Sequence, residues 1–242
     1  MIKENLISIE NRIAKACLMA GRDPSSVKLL LATKTVQPTA IAQALLLGHT
    51  LIAENRIQEL KEKFDQLKNI PHTSHFIGHL QTNKVKDLLK YGVCCLQTLD
   101  RRELADKLNA RLEMEDRWLD VLIQVNTSRE RSKFGVSPEG LMDFISYVAG
   151  LPRLRIKGLM TIGLLGGQAD EVAACFRLLK FLQQQVAAQQ LPGVEMVELS
   201  MGMSGDLEIA ISEGATMVRV GTAIFGQRKT ADSYYWDEHG YS

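Results

Sequence analysis

Eight short apolar runs, each ended by polar or small residues and parted from the next by an amphipathic or turn-bounded stretch, constrain this chain more than any other feature. The runs are SVKLLLATKT, TLIAEN, SHFIGHL, VCCLQTL, LDVLIQVN, RIKGLMTIG, VEMVELSMG and TMVRVGTAIFG. Between them the pattern predicts helices from Thr39 to Leu47, Ile57 to Leu67, Lys84 to Lys90, Arg101 to Glu113, Pro138 to Ala149, Ala169 to Gln189 and Asp206 to Glu213. A further helix, from about residue 2 to Ala20, precedes the first strand. KLLLAT and LDVLIQV are apolar without a clean two-residue alternation, as parallel strands covered on both faces are. Eight βα units in 242 residues fit a single-domain (β/α)8 TIM barrel, whose usual length is about 250 residues. An open doubly wound sheet competes less well, because no GxGxxG follows the first strand. The expected organisation is therefore an α/β barrel with an N-terminal helix over residues 1–226, followed by a polar surface tail over 227–242.

Composition excludes several classes of function. A formal net charge of +1 gives no polyanion-binding surface, so no nucleic-acid partner is expected. The N-terminal segment carries charges throughout and lacks the apolar centre of a signal peptide, and no later window is apolar enough to span a bilayer. A cytoplasmic protein without membrane contact is the expectation. Cys17, Cys94, Cys95 and Cys175 have neither disulfide-framework nor CxxC spacing, and the adjacent pair reads as part of a buried strand. No histidine pair has metal-ligand spacing, and His72 and His75 read as loop residues before FIGHL.

In such a barrel chemistry collects where the strands end, so residues at the C-terminal end of each run are the informative ones. Lys34 closes the first run. An ordinary lysine titrates near about 10.4, and partial burial would lower that value and supply the free amine that attacks a carbonyl. A rim lysine snorkelling to water is the alternative that position leaves open. LSMGMSGD and RVGTAIFG place small residues after the seventh and eighth strands, where backbone N–H groups would form a phosphate nest before the helix near Asp206. Ser200, Ser204 and Thr222 could add hydroxyl donors and Gly221 close approach, whereas tight turns alone would also explain the small residues. Arg219, inside the last strand, needs a ring nitrogen or a carboxylate as its partner. An imine-forming lysine, an arginine and a phosphate nest describe a pocket for a phosphorylated aldehyde, either pyridoxal 5'-phosphate or a sugar phosphate.

With these residues in place the sequence resembles the YggS/PROSC family of pyridoxal phosphate-binding proteins, the pyridoxal phosphate homeostasis proteins. The resemblance runs through LLLATKT, AENRIQE, HFIGHLQTNK, VNTSRERSKFG, GLMTIG and LSMGMSGDLEIAISEGATMVRVGTAIFG. It implies a barrel like the alanine racemase N-terminal domain, with the cofactor carried as an aldimine on Lys34. It also implies that Ser200, Gly221 and Thr222 bind phosphate, that Arg219 faces the pyridine nitrogen, and that Asn55 and His79 line the pocket. Met160, Met201 and Ser204, in the same motifs, complete the expected cofactor-binding set. The chain departs from the family at Arg56, where an aromatic is common, and at Gly205, where a larger side chain is common.

An arginine opposite the ring nitrogen disfavours its protonation and so weakens carbanion chemistry. A racemase also needs a second acid-base group, supplied in alanine racemases by a tyrosine from a further domain. Only sixteen residues follow Gly226, and Tyr234, Tyr235 and Tyr241 lie among them, so no such domain is expected. The resulting expectation is a cofactor-holding protein in vitamin B6 and amino-acid homeostasis, monomeric, with pyridoxal phosphate-dependent apoenzymes as candidate partners. A weak racemase-like enzyme using Lys34 as sole base is the alternative, and a cofactor-free aldolase a third reading.

Overall fold

The computed structural model describes residues 1–130, 132–164 and 166–226. The expected tail lies outside these residues.

Helix α1 (Ile2–Met19) leads into eight strands: β1 (Lys28–Ala32), β2 (Leu51–Glu54), β3 (Thr73–Phe76), β4 (Val93–Leu99), β5 (Leu119–Gln124), β6 (Leu154–Met160), β7 (Val194–Ser200) and β8 (Met217–Val220). All pair in parallel in chain order, and β8 pairs with β1 to close the barrel, with Leu30 beside Arg219 and Leu31 beside Val220. Helices α2 (Pro38–Leu46), α3 (Ile57–Leu67), α4 (Val85–Lys90), α5 (Arg102–Met114), α6 (Leu141–Ala149), α7 (Ala169–Ala188), α8 (Leu207–Ser212) and α9 (Thr222–Phe225) follow the strands. The TIM barrel read from the sequence is the observed fold, α1 included.

Strand alternation divides the apolar side chains into two populations. Outward residues such as Leu31, Ile52, Phe76, Val121 and Leu199 meet the helices in one continuous core. Inward residues form two small clusters, Leu30 with Ala53 and Met217, and Cys95 with Leu122 and Met160. The remaining interior positions include the buried polar residues His75, Gln97, Ser200 and Arg219.

Helix α1 carries its apolar stripe at Leu6, Ile9, Ile13, Ala16 and Cys17, the spacing of one helical face. Its polar side chains brace the last two βα units. Asn5 Nδ2 donates to the Ile224 carbonyl at 2.9 Å, and Arg12 Nη2 to the Ser204 carbonyl at 2.9 Å. Just past the helix, Arg22 donates to the Ile211 and Ala215 carbonyls, each at 2.7 Å.

Several boundaries differ from the sequence reading. The first strand stops at Ala32, so Lys34 stands in the turn beyond it rather than at the strand end itself. The last run breaks after Val220: the Ile224 and Phe225 N–H groups bond to the Gly221 carbonyl, turning TAIF into a helical turn. His75 lies in β3 and not in a loop, and only His72 precedes that strand. The cysteine pair also splits, since alternation buries Cys95 in the barrel but leaves Cys94 exposed. Among the described residues no helix is long and apolar enough to cross a membrane, and no group of three His, Cys, Asp or Glu side chains could hold a metal.

Candidate functional site at the C-terminal mouth

The turn bearing Lys34 is held from the outside of the barrel. Thr33 Oγ1 donates to Glu54 Oε1 at 2.6 Å and lies 3.0 Å from the Ala53 carbonyl oxygen. Lys63 Nζ, on α3, donates to the Thr33 carbonyl at 2.8 Å, to Glu54 Oε1 at 2.8 Å and to Glu59 Oε2 at 2.5 Å. Glu59 Oε2 also accepts the Thr35 N–H at 2.7 Å. The main chain on both sides of Lys34 is therefore held, at the Thr33 carbonyl by Lys63 and at the Thr35 N–H by Glu59. Thr35 takes φ +62°, a left-handed conformation that a β-branched residue adopts only when its surroundings impose it.

Glu54 is buried, and desolvation pushes its carboxyl up to about 7, against the pull of Lys63. Its Oε2 has no hydrogen-bond partner, so one oxygen of the ionised form goes without a donor. Thr33, Glu54, Glu59 and Lys63 escaped the sequence reading. A signal was present, since Lys63 falls on the same α3 face as Leu60 and Leu67, where a charge needs a partner.

Arg219 lies inside the barrel beside Leu30. Its Nη1 donates to Ser200 Oγ at 2.9 Å and its Nη2 to the Thr161 carbonyl at 2.8 Å. Burial lowers its pKa to about 10, with Asp206 opposing the shift, so the guanidinium remains charged at neutral pH. Thr161 is fixed in turn, donating from Oγ1 to the Val125 carbonyl at 2.8 Å. Ser200 Oγ donates to Gln97 Oε1 at 2.6 Å, so its one hydrogen is committed within the barrel.

Beside Arg219 two loops converge. In the first, Asp206 Oδ1 accepts the Met203 N–H at 2.5 Å and Gly202 takes φ +91°. Ser204 is half-buried in this loop, tied to α1 through Arg12. In the second, Gly221 begins the turn and Thr222 is exposed at its rim. A Cβ on Gly221 would stand 2.7 Å from the Ala32 carbonyl oxygen, so the glycine is required by the seam between β1 and β8. In this turn the Ile224 and Phe225 N–H groups bond to the Gly221 carbonyl, which leaves those of Thr222 and Ala223 without an intrahelical acceptor.

Asn55 follows β2, and its Oδ1 is buried without a partner. His79 stacks on Phe134 of the β5–α6 loop, with ring centroids 3.9 Å apart and planes 18° apart. Met160 is buried in the barrel interior with Cys95 and Leu122. Met201 is set apart from the expected set: its side chain is buried in the core between barrel and helices, so the mouth receives only its backbone.

The family model for the alanine racemase N-terminal domain matches residues 5–229. A pyridoxal phosphate homeostasis protein of Aquifex aeolicus is 43% identical over 93% of this chain and 98% of its own length. That of Escherichia coli K12 is 37% identical over 94% and 97%. Among solved structures, PipY of Synechococcus elongatus with pyridoxal phosphate bound superposes with a TM-score of 0.81 at 32% identity, covering 93% of this chain and all of that one. The alanine racemase of Clostridium difficile has the same barrel, with a TM-score of 0.71 at 16% identity over 96% of this chain and 57% of its own.

Proposed function

The chain belongs to the family of the pyridoxal phosphate homeostasis proteins, and from that premise we propose that it binds pyridoxal 5'-phosphate covalently through Lys34 and holds or delivers it without strong catalysis. The single observation that carries this reading is Arg219. It is a buried charged guanidinium at the mouth end of the barrel with donors and no acceptor to offer a ring nitrogen. When bound, the cofactor supplies an aldehyde and an aromatic ring able to take up electrons.

The residues present fit that group. Lys34, in the turn after β1, would supply the amine that holds the aldehyde. Asn55 presents a buried polar atom still lacking a partner. The loops at Ser204 and at Gly221–Thr222 supply backbone N–H groups for the phosphate, while the committed Ser200 hydroxyl supports Arg219 from below. Arg219, with donors only, would face a ring nitrogen as a donor and disfavour its protonation, which would weaken the ring as an electron sink and favour holding over turnover. Apoenzymes that use the same cofactor are the partners this role implies.

The test is the absorption spectrum of protein saturated with pyridoxal phosphate, beside Lys34→Ala, before and after borohydride. A visible band confined to wild type, with a borohydride-stable adduct mapped to Lys34, is expected. Identical spectra would remove Lys34 from the role. Faster Cα deuterium exchange of an L-amino acid than free cofactor gives would overturn the holding role in favour of an enzyme.

A further inference from the structure

Beneath Arg219 a line of buried polar side chains runs down the barrel interior. Ser200 Oγ accepts from Arg219 Nη1 at 2.9 Å and donates to Gln97 Oε1 at 2.6 Å. Gln97 Nε2 lies 2.8 Å from His75 Nδ1 and 3.1 Å from Met217 Sδ. His75 lines a 410 Å³ cavity at the opposite mouth, together with Lys28, Asp120 and Glu198. Ser200 and Gln97 are fully buried, and His75 and Arg219 nearly so.

The direction of every link follows from Arg219. A guanidinium has donors only, so Ser200 must accept from it. The single hydroxyl hydrogen then goes to Gln97, which fixes the amide with its oxygen towards Ser200 and its NH2 towards His75. His75 Nδ1 therefore accepts, and its proton sits on Nε2. Reversing any one link would aim the serine hydrogen at a guanidinium that cannot receive it. The second anchor, the Thr161 carbonyl, fixes the other Nη, so the plane of the guanidinium is set on two sides.

Resting on the cofactor reading above, we infer that Gln97 and His75 are positioning residues for Arg219, forming with Ser200 a one-way hydrogen-bond chain that sets how the guanidinium faces the bound ring. A barrel interior needs no such chain for stability. Buried polar networks are costly unless complete, and apolar groups of the same shape can fill the space with little loss. What the chain adds is a fixed orientation at its upper end.

Two measurements test it. In cofactor-free protein, ¹⁵N spectra of the His75 ring should show Nδ1 bare and Nε2 protonated, and the opposite tautomer would overturn the chain's direction. With pyridoxal phosphate added, Gln97→Met and His75→Phe should still give the borohydride-stable adduct at Lys34. They should bind about tenfold more weakly, as misaligning the one hydrogen bond that the Arg219 guanidinium would give the ring predicts, and with a displaced absorption maximum. His75→Asn, which keeps an acceptor near the Nδ1 position, should restore both. Ser200→Ala cuts the chain one link nearer Arg219 and serves if the larger changes do not fold. Folded variants with wild-type affinity and spectrum would sink the proposal. Failure of wild type to form any adduct would instead sink the cofactor reading, and the tautomer would still judge the chain.

Discussion

Lys63 Nζ lies 2.8 Å from the main-chain oxygen of Thr33, so a lysine on α3 holds the peptide that leads into Lys34. The same ammonium meets Glu54 and Glu59, both within the layer between barrel and helices. Removing one member of a buried charge cluster leaves the others uncompensated. Lys63→Met is expected to cost about 3–5 kcal/mol by urea unfolding. The double change Lys63→Met with Glu54→Leu should recover part of that loss, because the most deeply buried carboxylate goes with its partner, while Glu59 loses its cation but keeps the Thr35 N–H. A single-mutant cost below about 1 kcal/mol would mean that the cluster does not anchor the turn.

Two buried groups give opposite pH dependences. Burial, with Lys28 adding to it, lowers His75 from 6.5 to about 4, so the unfolded chain takes up this proton first as pH falls. Stability is unaffected by this group above pH 6.5 and declines through the window down to about 4, by on the order of 3 kcal/mol. The charged groups around the same cavity are Lys28, Asp120, Lys157, Glu195 and Glu198, with the Cys95 thiol beside them. Glu54 behaves in the reverse sense. Its pKa is raised from 4.5 to about 7, so its contribution is intact below 4.5 and is lost as pH rises through 7. Denaturant midpoints against pH should flatten between 6.5 and 4 in His75→Asn, and between 4.5 and 7 in Glu54→Gln. Curves parallel to wild type would refute these assignments.

Gly221→Ala places a methyl 2.7 Å from the Ala32 carbonyl oxygen, a backbone atom that cannot swing aside. The seam between β1 and β8 must open, at a cost of about 1–3 kcal/mol. Because that seam lies between the Lys34 turn and the Thr222 turn, cofactor affinity should fall along with stability. A loss of thermal stability with unchanged affinity would separate Gly221 from the binding site.

The barrel was legible because each apolar run ends where its strand must leave the core, and eight such endings have few other solutions. Lys34 and the glycine-rich turns stand just past such endings, and Arg219 stands within the last strand. The clamp around Lys34 was only half legible: Lys63 and Glu59 are four apart on α3 and share its buried side, but Glu54 and the Thr33 carbonyl reach Lys63 only once α3 docks on the barrel. The chain beneath Arg219 was hidden differently. Gln97 and Ser200 are 103 residues apart, and only barrel closure makes them neighbours. Met201 and Ser200 differ for a local reason: one residue of alternation puts the Ser200 hydroxyl in the barrel interior and the Met201 side chain in the core against the helices.

Phe134 is 43% exposed, yet its ring lies flat against His79 with centroids 3.9 Å apart. The loop that carries it is tied to the barrel at several points. Asn126 Nδ2 donates to the Glu130 and Lys133 carbonyls at 2.9 and 3.2 Å, Gln124 Nε2 to the Phe134 carbonyl at 3.2 Å, and Lys133 Nζ to the Gly163 carbonyl at 2.8 Å. The loop backbone is thus held without the aromatic ring, and the ring's own contribution is the stack and the cover it gives His79. Phe134→Ala should therefore cost no more than about 1 kcal/mol in stability, the worth of one aromatic pair at a partly exposed site. Its larger effect should be on release: in the cofactor-loaded protein, transfer of pyridoxal phosphate to an excess of a scavenging apoenzyme should speed up several-fold. A stability loss above about 2 kcal/mol with unchanged release would make Phe134 a packing residue and remove it from the mouth's cover.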